Sequence, residues 1–504
     1  MLSYATVVSV GMFGGGILNF RVIVAVNSGV ILAIGLALLV PLVLSLLYAD
    51  GSWRSFLFPA VAMIAAGGAG FLLTRSTGRA ARYVSNRDVY LSVTLAWTLA
   101  ALLGGVPFLI EGTFPSLIDS TFEAMSGFTT TGATLLADIE GETPSILFWR
   151  SMTHWLGGIG IVVLFVAVAP LIGVGAARLL GAEMSGLTQP RLTPRIADTA
   201  KALVVIYLAI SAAETVCLLA AGMPLYDSVI HTFGTVATGG FSNKTASIGF
   251  YDSVAIEAII IFFMTASGVS FSLYYLLYTR RRLDVVLDRE LMAYLGIIAA
   301  AALLLWGILV FEGDYGDNIG QGLRDSAFTV SSIITTTGFV TADFDRWDPA
   351  AKVVIVLLMF VGGCAGSTAG GIKVIRVLIV ARTILQDIFR MVHPRAVTPM
   401  KLGGRVVPES VRIAALGLFA AWIGVFGLAT LLVALQDNLT LTSSASAVAT
   451  TLNDVGPGLD QVGATESFEI VDYFGRIVLT VCMLLGRLEI FTVLALLSPA
   501  FWRR

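Results

Sequence analysis

The feature that most constrains this chain is the recurrence of apolar runs about as long as a bilayer is thick. A helix needs about 20 mainly apolar residues to cross a hydrocarbon core of roughly 30 Å, and a helix satisfies its own backbone where lipid offers no partner. Ten stretches of the 504 residues meet that need, near 27–48, 55–74, 88–110, 145–175, 200–222, 252–279, 290–311, 350–384 (broken), 409–435 and 470–499. The residues are 57% hydrophobic and only 13% charged, about half the charged share of an ordinary soluble domain. The expected fold is therefore an all-α polytopic membrane protein with about ten transmembrane helices. A net charge of −2 without any polycationic tract argues against nucleic-acid binding.

Charge in the connections sets an expected orientation. Basic residues cluster in alternate connections, at Arg75, Arg79, Arg82 and Arg87; Arg178, Arg191, Arg195 and Lys201; Arg280, Arg281, Arg282 and Arg289; and Arg382, Arg390, Arg395, Lys401 and Arg405. Such connections face the cytoplasm. The intervening ones carry Asp50, Glu111, Asp227, Glu312, Asp314, Asp317 and Asp437. Both termini are then cytoplasmic, as an even number of crossings requires. The first 20 residues lack the basic start and short apolar core of a signal peptide and are expected to stay in the mature chain.

Four short polar segments repeat between crossings: SGFTTTGAT at 126–134, GTVATGGFSN at 234–243, SSIITTTGFVTADFD at 331–345 and ATTLNDVGPGLD at 449–460. Aligned on Gly132, Gly239, Gly338 and Gly456, each has a helix-capping residue twelve positions earlier, Ser120, Asp227, Ser326 or Ser444. This predicts four re-entrant loops, each a helix of about two turns followed by a few extended residues. Non-helical backbone at membrane depth is tolerated only where protein or water covers it, so the loops should share one wet axis. Glycine lets carbonyls turn toward that axis, where pairs such as Thr130–Thr131 and Thr336–Thr337 would replace the hydration shell of a monovalent cation. One chain supplies all four loops, which disfavours an ordinary tetrameric channel. Taken singly, each loop reads more readily as a tight re-entry or small-residue packing site, but four in register, sharing the glycine and the cap spacing, argue against packing alone.

These motifs, with HWLGGIGIVV at 154–163, GGCAGSTAGGIKVIR at 362–376 and LLGRLEIFTVL at 484–494, resemble the Trk/Ktr/HKT superfamily of potassium transporters. The likeness is strongest to bacterial TrkH-type subunits, because an extra helix pair precedes the first repeat. It implies an N-terminal helix pair (1–80) and four helix–loop–helix repeats at 81–198, 199–285, 286–405 and 406–504 around a pseudo-fourfold pore. It implies K+ as the transported ion, with no cofactor bound by this chain. The filter would comprise Thr130, Thr131, Gly132, Ala237, Thr238, Gly239, Thr336, Thr337, Gly338, Asp454, Val455 and Gly456. Serine in place of the first glycine is associated with sodium in some plant relatives. Asp454 departs from the pattern: its carboxylate either draws cations or hydrogen-bonds locally. The resemblance also implies a homodimer in the bacterial inner membrane, surrounded by lipid, and a cytoplasmic nucleotide-binding regulatory subunit of the TrkA type.

The eighth crossing carries Gly362, Gly363, Gly366, Gly370 and Gly371, with Ser367 and Thr368 among them and Lys373 just after, a composition no straight helix favours. By resemblance it is an intramembrane gating loop; the alternative is a kinked helix packed through its glycines. Arg487, deep in the last crossing, is by resemblance a fixed charge below the filter, or else half of a structural ion pair with Glu489 or Glu214. Glu123 and Glu257 are expected to hydrogen-bond within the bundle. His154, His231 and His393, like Cys217, Cys364 and Cys482, are too scattered for a metal site. No nucleotide-binding motif occurs, and the chain is not expected to be an enzyme. The rival reading, an intramembrane hydrolase using Ser367 or Ser126 with His154, requires a base within hydrogen-bond reach of its nucleophile.

Overall fold

The computed structural model describes residues 18–74, 85–168, 196–280, 287–316, 318–395, 399–402 and 405–503. Residues 1–17 and Arg75, Arg79, Arg82, Arg178, Arg191, Arg195, Arg281 and Arg282, which carry much of the expected orientation, lie outside them.

The chain opens with α1 (Phe20–Ala37), α2 (Leu39–Tyr48) and α3 (Trp53–Thr74). α1 lies on α3 because glycines let the two backbones touch. A β-carbon on Gly35 would stand 2.9 Å from Ile64 N, and one on Gly67 would stand 2.5 Å from Leu32 N.

Four units of similar plan follow. The first has α4 (Asn86–Gly104), α5 (Val106–Glu111), the short α6 (Leu117–Phe128) and α7 (Pro144–Val168). α4 starts at a capping box in which Ser85 and Asp88 each accept the other's backbone N–H. The second unit has α8 (Ile196–Ala220), short α9 (Leu225–Val236), α10 (Val254–Ser267) and α11 (Phe271–Arg280). The third has α12 (Arg289–Glu312), short α13 (Ile319–Ile334), α14 (Pro349–Met359) and α15 (Val374–Val392). A two-stranded antiparallel ribbon, Lys401–Leu402 against Arg405–Val406, leads to the fourth, with α16 (Glu409–Val433), short α17 (Leu441–Asn453), α18 (Tyr473–Arg487), α19 (Phe491–Leu497) and α20 (Pro499–Trp502).

Among the described residues six helical stretches are long and apolar enough to cross a bilayer, and up to eight if each of two bent pairs counts as one span. Two expected crossings are not straight. The 252–279 stretch bends by 89° between α10 and α11, and the 470–499 stretch by 117° between α18 and α19. At the second bend Glu489 and Ile490 take left-handed φ values of 58° and 45°. Arg487 therefore ends a helix at a bend, and the negative end of the α18 dipole favours its charge. The 350–384 stretch is broken as expected, between α14 and α15.

Large apolar side chains such as Leu47, Leu73 and Phe311 are exposed, as a lipid-facing surface requires. The interior is polar where the short helices meet. Trp149, buried in the main core, spends its indole N–H on the Gly104 carbonyl at 2.9 Å.

Candidate functional site

The short helices α6, α9, α13 and α17 each end in the same backbone figure. Thr130, Thr238, Thr336 and Asp454 take φ values of 57°, 57°, 56° and 54°, and two residues later Gly132, Gly240, Gly338 and Gly456 also have positive φ. The residue between them always donates its N–H back into the helix: Thr131 to Ser126 O, Gly239 to Gly234 O, Thr337 to Ser332 O and Val455 to Thr450 O. The second loop is thus one residue out of the register expected from sequence. Gly240, not Gly239, is the equivalent of Gly132, and Ala237 is only the helix C-cap, one residue ahead of the left-handed slot. Two adjacent glycines hid the shift, since local sequence does not say which of them turns left-handed.

The corrected register uncovers a stronger repeat. Twelve residues before each ring glycine now stands a serine, Ser120, Ser228, Ser326 or Ser444, all fully buried. These residues are not caps. α6, α9 and α17 begin one turn earlier, after Ser116, Pro224 and Thr440, and α13 begins after Asn318, so the short helices have 12, 12, 16 and 13 residues instead of about two turns. One position upstream of the serines are Asp119, Asp227, Asp325 and Ser443, which fasten the loops beyond the ring. Asp227 accepts from Asn243 at 2.7 Å, Asp325 from Thr341 at 3.2 Å, and Asp119 pairs with Arg476, while Ser443 donates to Asp460 at 2.9 Å.

The four loops close on one another in a cycle. A β-carbon on Gly132 would lie within 3.0 Å of the Gly239 carbonyl oxygen, one on Gly240 within 3.0 Å of Thr337 O, one on Gly338 within 3.0 Å of Val455 O, and one on Gly456 within 3.0 Å of Thr131 O. Each glycine thus abuts the residue just before the next loop's glycine, and no side chain fits. All four glycines line a single cavity, together with Arg150, Phe241 and Lys244. Glu123 accepts from Arg150 Nε at 2.6 Å, Thr134 Oγ1 at 2.8 Å and Leu135 N at 2.9 Å, holding the chain beyond Gly132, while Arg150 reaches Ser242 O at 3.0 Å. Glu257 is likewise structural, pairing with Arg324.

On the side of the ring away from this cavity lies the glycine-rich segment, and none of residues 362–373 lines the cavity. Gly370 N donates to Thr336 Oγ1 at 2.7 Å, and a β-carbon on Gly370 would stand 2.5 Å from Asn453 O. Gly362 N donates to Ile372 O at 3.0 Å, and Val361 and Ile372 form a parallel bridge that closes the base of an excursion between α14 and α15. Gly363 O accepts from Val374 N and Gly366 O from Phe271 N, at the bend after α10. Ser367 Oγ donates to Cys364 O, Thr368 Oγ1 to Val236 O, and Lys373 Nζ to Ala369 O. The excursion is not a packed kinked helix. Two groups hold it: Arg487, which the sequence singles out, and Glu290, which it does not. Glu290 Oε1 accepts from Ala365 N at 2.8 Å and Ile375 N at 3.3 Å, and Arg487 Nη1 donates to Thr368 O at 2.7 Å. Glu290 carried no motif; only its burial beside the segment reveals it. Glu489 pairs with Arg376 at 2.7 Å, not with Arg487.

At the polar tie between loops outside the membrane spans, burial raises the Glu140 carboxyl, but hydrogen bonds from Thr245 outweigh it and leave the group below the usual carboxylate range. The hydrolase constellation is not assembled. His154 Nδ1 meets Gly127 O at 2.8 Å and its ring lies against Phe241, while Ser367 is bonded to Cys364 O.

The fold defines a polytopic helical membrane protein in which the loops after four short helices close on one another. The family model for TrkH, described as a cation transport protein, matches residues 55–504. The chain is 39% identical over 494 residues to the Trk system potassium uptake protein TrkH of Halomonas elongata, covering 97% of this chain and 100% of that one. It is 36% identical over 492 residues to the protein of the same name in Escherichia coli K12, with 96% and 100% covered. The crystal structure of the potassium transporter TrkH from Vibrio parahaemolyticus superposes with a TM-score of 0.87 at 36% identity, covering 96% of this chain and all of that one. The chain belongs to the TrkH family of cation transport proteins.

Proposed function

We propose that this protein takes up potassium across a bacterial inner membrane through the four-loop ring, with the glycine-rich segment as its gate. The relatives' names support potassium uptake. The observation that carries the pore reading is the closed cycle of glycine against carbonyl, which brings Thr131, Gly239, Thr337 and Val455 carbonyls around one axis. Such carbonyls replace the water of a monovalent ion without a covalent or redox step. In this reading the filter runs through Thr130, Thr131 and Gly132; Thr238, Gly239 and Gly240; Thr336, Thr337 and Gly338; and Asp454, Val455 and Gly456. The glycine-rich segment, tied to Thr336, obstructs the path below, and Arg487 adds a fixed positive charge there. Both termini face the cytoplasm, the molecule is a homodimer, and a TrkA-type nucleotide-binding subunit releases the gate.

Rubidium uptake into liposomes holding the purified chain tests this, with a second variant shortened across 363–370. Uptake competed by potassium, and raised in the shortened variant without any added subunit, is expected. A folded pair of proteins that both leave vesicles impermeable to rubidium overturns the pore. Wild-type uptake with no rise on shortening overturns the gate alone.

A further inference from the structure

Arg487 and Asp454 are both buried, and each has polar atoms to spare. Arg487 Nη1 donates to Thr368 O at 2.7 Å, but its Nε and Nη2 have no hydrogen-bond partner among the described residues. Asp454 Oδ1 accepts from Thr131 Oγ1 at 2.9 Å, and its Oδ2 has no partner among them either. The spare oxygen lies beside Arg487's own helix and beside the segment that Arg487 holds. Oδ2 is 3.3 Å from where a β-carbon would stand on Gly486, the residue before Arg487, and 3.1 Å from one on Gly370, two residues after Thr368. A β-carbon on Gly486 would also run into Leu452 O, so the ends of α17 and α18 are pressed together with no side chain between them. Burial aside, each of the two charges is the strongest electrostatic influence on the other. The other charged groups nearby are engaged elsewhere: Glu489 pairs with Arg376, and Lys373 Nζ donates to Ala369 O. Threonine fills the same left-handed slot in the other three loops, and the carboxylate stands only in the loop that leads into Arg487's helix.

Resting on the potassium reading, we propose that Asp454 is the counter-charge of Arg487, a positioning residue that lowers the barrier Arg487 sets to a cation passing below the ring. A buried charge is costly until an opposite charge compensates it, and here each group supplies what the other lacks. The bond from Thr131 to Oδ1 fixes the carboxylate and leaves Oδ2 for the guanidinium. An uncompensated guanidinium repels every cation near it, whereas a guanidinium beside a carboxylate presents a dipole whose field falls off faster with distance. The pair, and not Arg487 alone, therefore sets how fast an ion leaves the ring.

The test is rubidium uptake by the full chain in liposomes for wild type, Asp454→Asn, Arg487→Gln and the double variant, measured per molecule of folded protein across rubidium concentrations. Asparagine keeps the shape and the bond to Thr131 while removing the charge. In Asp454→Asn the maximal rate is expected to fall roughly tenfold with half-saturating rubidium unchanged, because the ring's carbonyls are untouched and only the barrier beneath them has grown. Added to Arg487→Gln, the same substitution should change nothing, since a lone buried carboxyl takes a proton and has no charge left to lose. A maximal rate unaltered in Asp454→Asn overturns the proposal. So does an equal fall in both backgrounds, or a shifted half-saturation, which would make Asp454 part of the ring's own binding site. If Asp454→Asn does not fold, the double variant decides: recovered yield supports the pair, and yield as poor as in the single variant overturns it. A wild type that takes up no rubidium overturns the potassium reading and this proposal with it, whereas the other failures leave that reading standing.

Discussion

At Gly132 two demands coincide: a φ of 84°, and a neighbour's carbonyl where a side chain would begin. Gly132→Ser meets both badly, costing of order 1 to 3 kcal/mol in backbone strain and pushing Gly239 O off the ring. The expected outcome is a several-fold fall in the potassium-to-sodium flux ratio; an unchanged ratio in folded protein removes Gly132 from the filter. Arg487 presents a different balance. Since Glu489 is taken by Arg376, removing the Arg487 charge does not strip Glu489 of its partner. A like charge about 6 Å from a cation costs on the order of 3 kcal/mol at an effective dielectric near 20. Arg487→Gln should therefore raise rubidium flux with yield retained, and poor yield with unchanged flux per molecule would return Arg487 to a purely structural role. Of these residues, the glycines and Arg487 stand out in the sequence, but the register of the second loop and the bend directly after Arg487 do not.

Among elements, the glycine-rich excursion has the least secondary structure and the most borrowed support. Its backbone donors Ala365 N and Ile375 N both go to one carboxylate, Glu290 in the first turn of α12. Glu290→Ala leaves two buried N–H groups unpaired, each worth about 1 to 3 kcal/mol. The excursion should loosen, giving basal rubidium flux that wild type lacks, while Glu290→Gln, which keeps an acceptor oxygen, should stay close to wild type. Equal fluxes in all three proteins count against Glu290 as the anchor. Composition announced that residues 362–371 are not helix; it did not announce what holds them. The same limit hid the bends at 268–270 and 488–490, whose flanks are as apolar as any straight span, and the true starts of the short helices. Those starts lie a turn upstream because Ser116 and Thr440 cap there, leaving the serines expected as caps inside.

The whole molecule is held as a cycle. Thr245 N donates to Glu140 at 3.1 Å between the first two units, Gly249 N to Val340 O at 3.1 Å between the second and third, Asp460 N to Asp345 at 2.9 Å between the third and fourth, and Phe468 N to Thr134 O at 2.8 Å from the fourth back to the first. The closing seam also carries the pair of Arg476 in α18 with the buried Asp119 of α6. Removing Arg476 leaves a buried carboxylate uncompensated at a cost of about 3 to 5 kcal/mol. Arg476→Ala should lower the thermal midpoint of the detergent-solubilised protein and blunt ion discrimination, and a midpoint equal to wild type would show that the seam does not need this pair. The sequence by itself determined the membrane class and the four repeated polar segments between apolar runs, because apolar run length and glycine content act locally and repeat along the chain. Which of two adjacent glycines turns, which oxygen of Asp454 stays free, and that Glu290 and Arg487 grip the excursion were decided only by tertiary structure. Each depends on a neighbour 75 residues or more away along the chain, or on a φ value that neighbours impose, and no local pattern encodes those distances.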